Sequence, residues 1–406
     1  MQPDIKNTKT ALFLENINAD AIRLFKKAGY KVHALPHALG ESELAKALAD
    51  CSILGIRSKT QVTKKAIQGA PNLLAIGAFC IGTNQIDLEA ATERGIALFN
   101  APFSNTRSVV ELAMAEIIML LRKTVGKSSA AHNGLWDKSS SGCFEVRGKR
   151  LGIVGYGHIG SQLSVIAENL GMHVLYFDTE DKLALGNARR SKSLAQLLKE
   201  SDVVTLHVDG RPANRNLMSK KEFALMKKGS YFLNLSRGHV VDIESLAIAL
   251  KSGKIAGAAI DVYPEEPVGS GEKFVSVLQN IPNVILTPHV GGSTEEAQSD
   301  IAHYVSSHLL SYVDTGTTAM SVNLPAIRMP SLKSTRRIIH IHKNVPGILA
   351  RINDVFASRH INILGQQLHT NDHVGYVMTD VAKYKDTGIV EALTAIPDTI
   401  LTRVVH

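Results

Sequence analysis

Three side chains of complementary chemistry sit in turn-like segments that each follow a short apolar run. Arg237 lies in Asn-Leu-Ser-Arg-Gly, Glu266 in Asp-Val-Tyr-Pro-Glu-Glu-Pro, and His289 in Thr-Pro-His-Val-Gly-Gly. A histidine titrates near neutral pH and can take a proton from a hydroxyl group. A carboxylate bonded to that imidazole fixes its tautomer and stabilises its protonated form. An arginine fork holds a carboxylate and polarises the carbonyl beside it. Taken singly, each has a plainer reading: one of 16 histidines, a helix-capping arginine, a surface charge beside Glu265. Their joint placement after three successive strand-like runs is what argues for proton and hydride transfer.

A hydride needs an acceptor, and one motif supplies a place for it. The apolar run at 151–154 leads into Gly155-Tyr-Gly157-His158-Ile159-Gly160 and then an apolar helical stretch, 161–170. Gly155 allows a tight turn, Gly157 lets the backbone approach a pyrophosphate, and Gly160 lets helix and strand pack closely. The helix start offers free amide hydrogens and the positive end of a dipole to phosphate. A second strand then ends at Asp178, about twenty positions on, where an acid binds a ribose hydroxyl. Its charge repels an additional 2′-phosphate, and no arginine stands beside it in Phe177-Asp-Thr-Glu-Asp181. The expected cofactor is therefore NAD, and no metal site is expected.

These residues need a scaffold of parallel strands, because parallel sheets bind ligands beyond the carboxyl ends of their strands. Strand-like and helix-like segments alternate through most of the chain. In the first hundred residues, strands are expected at 11–14, 31–34, 52–56 and 73–76, with helices at 19–28 and 41–49. A long helix follows at 107–123, with Ser104, Asn105 and Thr106 as possible caps. The alternation restarts with strands at 151–154, 173–177, 203–206, 231–235, 256–260 and 284–286, enough for a nucleotide-binding sheet. After a helix from Thr294 to about Asp314, residues 315–334 carry Gly316, Pro325 and Pro330 and read as a linker. Beyond it lies a βαββαβ pattern: strand 336–342, helix 345–358 with Asn344 as N-cap, a hairpin at 361–369 and 374–381, helix 388–395 and strand 399–405. The fold class is thus α/β, with two doubly wound Rossmann or flavodoxin-like domains plus a small ferredoxin-like module.

Composition narrows the function classes. With 406 residues, 45 Lys+Arg against 37 Asp+Glu and 45% hydrophobic residues, the chain is an ordinary globular protein of two or three domains. The net charge of +8 is dispersed, and aromatics are only 5%, so nucleic-acid binding is not expected. The positive balance suits a solvated surface or a field that attracts a small anion. The longest uncharged run, 66–86, is broken by Gly69, Pro71, Asn72, Gly77, Gly82 and Asn84 and cannot be a membrane helix. A polar N-terminus and three scattered cysteines, Cys51, Cys80 and Cys143, fit a reducing cytoplasm.

Several stretches together resemble the D-2-hydroxyacid dehydrogenase family over nearly the whole chain. They are Gly77-Ala-Phe-Cys-Ile-Gly-Thr-Asn-Gln85, Phe99-Asn-Ala-Pro-Phe-Ser-Asn-Thr-Arg-Ser108, the glycine turn, and Thr287-Pro-His-Val-Gly-Gly-Ser-Thr294. The resemblance implies His289 as acid/base, Glu266 as its partner and Arg237 as substrate anchor. It implies cofactor contacts at His158, Ile159, Asp178, Leu235, Ser236, Arg237, Asp261, His289, Val290, Gly291 and Gly292. It also implies a discontinuous substrate domain, 1–104 plus 292–331, around an NAD domain at 105–291, with the C-terminal module at 334–406.

Within that family the chain resembles the members that oxidise 3-phosphoglycerate to 3-phosphohydroxypyruvate, the first step of L-serine synthesis. On that resemblance Arg57, Ser58, Lys59, Asn105 and Lys138 become candidates for the substrate phosphate and its surroundings. Lys59 stands where close relatives carry arginine, and Asp209 replaces a proline usual in its loop. A basic cluster of this kind also suits a second carboxylate, as in 2-oxoglutarate, and the same fold serves NAD-sensing corepressors. The C-terminal module resembles an ACT domain, which implies L-serine as effector at His342, Asn344 and Asn362. Relatives often have a glycine pair before this module; here the sequence is Lys333-Ser334-Thr335. Pairing of both nucleotide domains and ACT modules implies a homo-oligomer, and two two-fold contacts generate a tetramer.

Overall fold

The computed structural model describes residues 9–267, 271–330, 335–384 and 388–405. They divide into two compact units, residues 1–104 with 299–406 and residues 105–298.

The first unit opens as alternating short elements: β1 (Thr10–Phe13), α1 (Ala19–Lys27), β2 (Lys31–Ala34), α2 (Glu41–Ala47), β3 (Ile53–Ile56), α3 (Lys64–Gln68), β4 (Ala75–Ala78), α4 (Leu88–Glu93) and β5 (Ala97–Asn100). All five strands are parallel, in the order β2-β1-β3-β4-β5, the flavodoxin-like arrangement. β3 and β4 are wholly buried, so they read as continuous apolar runs without alternation. Asn18 caps α1 by accepting from the Asp20 amide, and Ala21 and Phe25 turn inward. Phe25 there meets Phe13 edge-on, with 5.0 Å between ring centres.

The second unit begins with two helices, α5 (Thr106–Arg122) and α6 (Thr124–His132), hinged where Lys123 adopts left-handed φ 53°. Next come β6 (Arg150–Val154), α7 (His158–Asn169), β7 (His173–Phe177), β8 (Arg189–Arg190), α8 (Leu194–Glu200), β9 (Val203–Leu206), α9 (Lys220–Leu225), β10 (Ser230–Asn234), α10 (Ile243–Lys251), β11 (Ile255–Ile260) and β12 (Val284–Leu286). These seven strands form one parallel sheet, β12-β11-β10-β9-β6-β7-β8. Strand order reverses between β6 and β9, which is where doubly wound sheets bind dinucleotides. The two-residue β8 is one strand more than the pattern suggested. It is too short to leave a period of its own in the sequence.

The chain returns to the first unit along α11 (Glu295–Thr315), whose Leu309 and Tyr312 are fully buried. Then follow β13 (Thr335–Lys343), α12 (Ile348–Ser358), β14 (Ile363–Thr370), β15 (Val374–Ala382), α13 (Ile389–Thr394) and β16 (Thr399–Val404). Their antiparallel order β14-β15-β13-β16 is ferredoxin-like. One expected detail is corrected. Asn344 does not cap α12; the cap position is Gly347 at φ 88°, and the Asn344 side chain instead donates to the Asn371 carbonyl. Of the Lys333-Ser334-Thr335 linker, Lys333 and Ser334 lie outside the described residues.

A fully buried ion pair ties this module to the segment before it. The Arg337 Nε and one Nη donate to both Asp380 oxygens at 2.7 Å, and the guanidinium also donates to the carbonyls of Thr315, Met329 and Pro330. Removing one partner of such a pair strands the other charge away from water. Arg337→Ala is therefore expected to destabilise the C-terminal module by about 3–5 kcal/mol. Urea unfolding followed by fluorescence and proteolysis checks this, and Arg337→Met with Asp380→Leu is expected to recover part of the loss.

Candidate active site

The three reactive side chains stand on consecutive carboxyl ends of β10, β11 and β12. After β10, Asn234 is buried, and its side-chain oxygen accepts from the Ser236 amide and hydroxyl at 3.1 and 2.8 Å. Its amide nitrogen donates to the Arg237 carbonyl at 3.0 Å, so the Leu235-Ser236-Arg237 bend is fixed from inside. Gly238 then passes the Tyr263 backbone so closely that a Cβ would lie 1.9 Å from its carbonyl carbon. That contact brings the Arg237 bend against the segment leading to Glu266.

After β11, Asp261 is 1% exposed, yet every donor around it is used. One carboxylate oxygen accepts from the Thr287 hydroxyl at 2.6 Å and the Val290 amide at 2.8 Å, and the other from the Gly291 amide at 2.8 Å. Asp261 thus holds the whole segment after β12. Within that segment His289 takes φ 54°, a conformation that costs a non-glycine residue free energy and needs such outside support. The His289 Nδ1 meets a Glu266 oxygen at 2.8 Å, while the second Glu266 oxygen accepts from the Tyr263 amide at 3.0 Å.

The bond to Glu266, aided by its charge and that of Asp261, holds the His289 pKa above the ordinary histidine range, against burial. Burial alone would push Glu266 up. The bonds from His289 and the Tyr263 amide, with the charges of His289 and Arg237, prevail and hold it below the usual carboxylate range. An imidazole whose Nδ1 is tied to a carboxylate presents Nε2 to a substrate, the arrangement of a general base.

The same sheet edge fits a dinucleotide. Gly155 has φ 90°, and a Cβ there would lie 2.5 Å from the His207 carbonyl oxygen. Around Gly157 nothing lies within 4 Å of a Cβ position, leaving the backbone open to a phosphate. His158 and Ile159 begin α7, whose N-cap, Gly157, makes no side-chain capping bond, the kind of helix start that suits a phosphate. One Asp178 oxygen accepts from the Tyr156 amide at 2.7 Å and the other from the Glu180 amide at 2.9 Å, so this acid is aimed by backbone alone. The chain does bring an arginine here, from β8. Arg190 donates to the carbonyls of Asp178 and Glu180, but its fork is tied to Asp181 at 2.7 Å. Arg211 is likewise chelated by Asp209, the residue in the usual proline position, and Lys182 by Glu180. Arg190, Arg211 and Lys182 are thus each paired with a neighbouring acid.

Comparison with known proteins agrees with this geometry. The model of the D-isomer specific 2-hydroxyacid dehydrogenase NAD binding domain matches residues 114–291, and that of the AHAS small subunit-like ACT domain matches residues 338–401. The chain is 48% identical over 404 residues to a D-3-phosphoglycerate dehydrogenase of Haemophilus influenzae, covering 99% of this chain and 98% of the relative. It is 47% identical over 398 residues to the Escherichia coli K12 protein of that name, covering 97% of each. The chain belongs to the D-3-phosphoglycerate dehydrogenase family. Among solved structures it is similar to a D-2-hydroxyisocaproate dehydrogenase, with a TM-score of 0.69 at 26% identity over 77% of this chain and 99% of that one. A D-lactate dehydrogenase from Aquifex aeolicus, complexed with NAD and lactic acid, shares the fold at 24% identity and a TM-score of 0.65, over 75% of this chain and 95% of that one. As a member of the D-3-phosphoglycerate dehydrogenase family, the protein is an NAD-dependent dehydrogenase. No described helix is long and apolar enough to cross a membrane, and no metal-binding cluster occurs among the described residues.

The remaining expected residues of this D-3-phosphoglycerate dehydrogenase family member fall in several places. Leu235 and Ser236 are buried in their bend, and Val290 and Gly291 lend their amides to Asp261. Gly292 packs on the Asn105 side chain, whose amide nitrogen would lie 2.3 Å from a Cβ there. Arg57, Ser58 and Lys59 follow β3 in the first unit. That loop is pinned by a residue the sequence reading missed: Glu15 accepts from the Lys59 and Thr60 amides at 2.9 and 2.8 Å. Gln85 also donates to the Arg57 carbonyl at 2.7 Å. Lys138 is exposed. Its neighbours Asp137 and Ser139 line a groove with Gly253 and Asn283 at the amino ends of β11 and β12, so one chain does not bring Lys138 to the Arg237, Glu266 and His289 edge.

In the C-terminal module His342 is buried and Asn344 exposed at the end of β13. Asn362 precedes β14, and its carbonyl accepts from the Ala382 amide at the far end of the same sheet. A strand of this length puts Asn344 and Asn362 about 25 Å apart within one module.

Glu266→Gln removes the charge that raises His289 while keeping a side chain of the same shape. With His289 as the general acid, reduction of a 2-oxo acid is expected to fall as pH rises through the His289 pKa. In Glu266→Gln the declining limb of kcat/KM for reduction is expected at lower pH than in wild type, as pH profiles recorded with NADH would reveal.

Proposed function

We propose that this protein oxidises 3-phospho-D-glycerate at its C2 hydroxyl to 3-phosphohydroxypyruvate, the first step of L-serine synthesis. The observation that carries the reading is the 2.8 Å His289–Glu266 pair at the cofactor edge of the second sheet, with Arg237 close enough to influence both. Gly155, Gly157, Gly160 and Asp178 would hold NAD, which would supply the acceptor for the hydride of C2. Arg237 holds the substrate carboxylate with its fork and draws electrons from the carbonyl that forms. His289 Nε2 takes the hydroxyl proton, and the Glu266 carboxylate stabilises the resulting imidazolium. In the reverse direction the same proton returns to the substrate oxygen.

The phosphate dianion is assigned to Arg57, Ser58 and Lys59, whose loop Glu15 and Gln85 hold by its backbone, and Asn105 lies in the substrate surroundings. Lys59 acts there as a point charge, where arginine would make a fork. Lys138 is assigned to substrate only in an assembled oligomer. L-serine is the proposed effector of the C-terminal module. The separation of Asn344 from Asn362 supports a site made by His342 and Asn344 of one copy with Asn362 of another. Such pairing, together with pairing of the nucleotide-binding units, gives a tetramer. The cytoplasm is the proposed location, and the substrate domain, 1–104 with 292–331, NAD domain, 105–291, and regulatory domain, 334–406, are the proposed division of labour.

The test is NADH oxidation by the purified protein with 3-phosphohydroxypyruvate or 2-oxoglutarate, each with and without L-serine. Preference for the phosphorylated acid, with inhibition by serine that Asn344→Ala abolishes, is the expected result. A preference for 2-oxoglutarate would overturn the substrate assignment and leave the chemistry. His289→Ala is expected to lose about 10²–10⁴-fold in turnover with NAD binding intact. Arg57→Ala with Lys59→Ala is expected to raise KM for the phosphorylated acid by about tenfold or more while kcat changes little.

A further inference from the structure

The mechanism leaves one buried acid unexplained. Glu116 lies on the inward face of α5 among Val109, Val110, Ala113, Ile117 and Leu120. It is 1% exposed, and neither of its carboxyl oxygens has a partner at hydrogen-bond distance; the nearby Thr287 hydroxyl, which favours its charged form, gives its hydrogen to Asp261. A buried ionised carboxylate without donors is strongly disfavoured, whereas a neutral one is tolerable. The neighbouring Asp261 has the opposite surroundings, with three donors on its two oxygens. Two adjacent buried carboxyls cannot both ionise cheaply, and the charge settles where the donors are.

We propose that Glu116 is a positioning residue that carries a proton at neutral pH, so that Asp261 is the single negative charge beneath the segment bearing His289. The proposal deepens the dehydrogenase reading and rests on it for its effect on turnover. The groups that bear on Glu116 are few. From the end of β11 there are the Asp261 carboxylate and the Tyr263 hydroxyl, and from the end of β12 the Thr287 hydroxyl, which gives its hydrogen to Asp261. His289, Glu266 and Arg237 lie one contact further out. On α5 itself Arg107 and Glu111 pair with each other at the exposed face, and Arg122 is exposed. Burial, reinforced by the Asp261 charge, pushes Glu116 up to about 8. Above that pH a second charge forms beside Asp261, and repulsion between them loosens the three bonds that hold Thr287, Val290 and Gly291.

The sign of the stability effect follows. A carboxyl whose folded pKa is raised binds more protons folded than unfolded, so its penalty grows as pH rises from the ordinary carboxyl range through the folded pKa. Replacing Glu116 with a neutral residue removes that dependence. The experiment compares wild type, Glu116→Gln and Glu116→Met, the last guarding against a polar replacement that fails to fold. Thermal unfolding of the NAD-bound protein between pH 5.5 and 9 is expected to show the variants gaining several degrees on wild type as pH rises. In NAD-linked oxidation the ratio of variant to wild-type kcat is expected near one at pH 7 and about threefold or more higher by pH 9.5. A Tm difference independent of pH, or a kcat ratio flat across the range, would overturn the proposal. The unfolding arm needs no substrate, so it judges Glu116 even if the substrate assignment fails.

Discussion

One buried carboxylate organises the reactive edge of this protein. Asp261, buried just after β11, receives the Thr287 hydroxyl and the amides of Val290 and Gly291. A charge in that position is tolerable only because those donors converge on it, and the donors are ordered only because the charge is there. The left-handed backbone of His289, its approach to Glu266, and the closeness of both to Arg237 follow from the path this carboxylate imposes. Asn234 does the corresponding work one strand away, for the bend that carries Arg237. Glu266 and His289 are exposed and Arg237 half-buried, each mounted on a bend whose polar backbone is satisfied from below.

Much of this was readable from residue order, because parallel strands leave long apolar runs and their carboxyl ends are marked by glycine, proline and charged residues. The glycine turn, Asp178 and the His289–Glu266–Arg237 set fall into this class. Other features left no such mark. Asp261 was expected at the cofactor, and its carboxylate also holds the segment after β12; from sequence, an acid at a strand end does not announce that second task. Glu116 interrupts an otherwise apolar helical face, a signal that was present but unremarkable while its neighbours were unknown. Glu15 and Gln85 act through backbone contacts made across the sheet, beyond any local pattern. The turn before α12 was misjudged because Asn344 has two uses for its side chain, and bonding to Asn371 wins when Gly347 can turn the chain unaided.

The cofactor edge sets acidic and basic residues side by side. The sequence has Arg189, Arg190, Lys182 and Arg211 within reach of the same region, a composition that by itself would suit an extra phosphate. Asp181, Glu180 and Asp209 take up three of these cations as local pairs. Exposed pairs of this kind add little to stability. Their effect lies in direction: a guanidinium committed to a neighbour is not aimed at a ligand. Asp209 belongs to this balance, since the acid arrives together with Arg211 two positions on.

The Arg337 pair has an evolutionary corollary. Small effector-binding modules are exchanged between unrelated enzymes when their junction is a tether with few contacts. Here the junction is keyed: five guanidinium hydrogen bonds link Arg337 to Asp380 within the module and to the carbonyls of Thr315, Met329 and Pro330 outside it. Excising the module would leave those three carbonyls without their donor, and grafting another would bury a mismatched surface against them. The C-terminal module of this chain is therefore fitted to the particular segment that precedes it, and a change on one side of the junction has to be matched on the other.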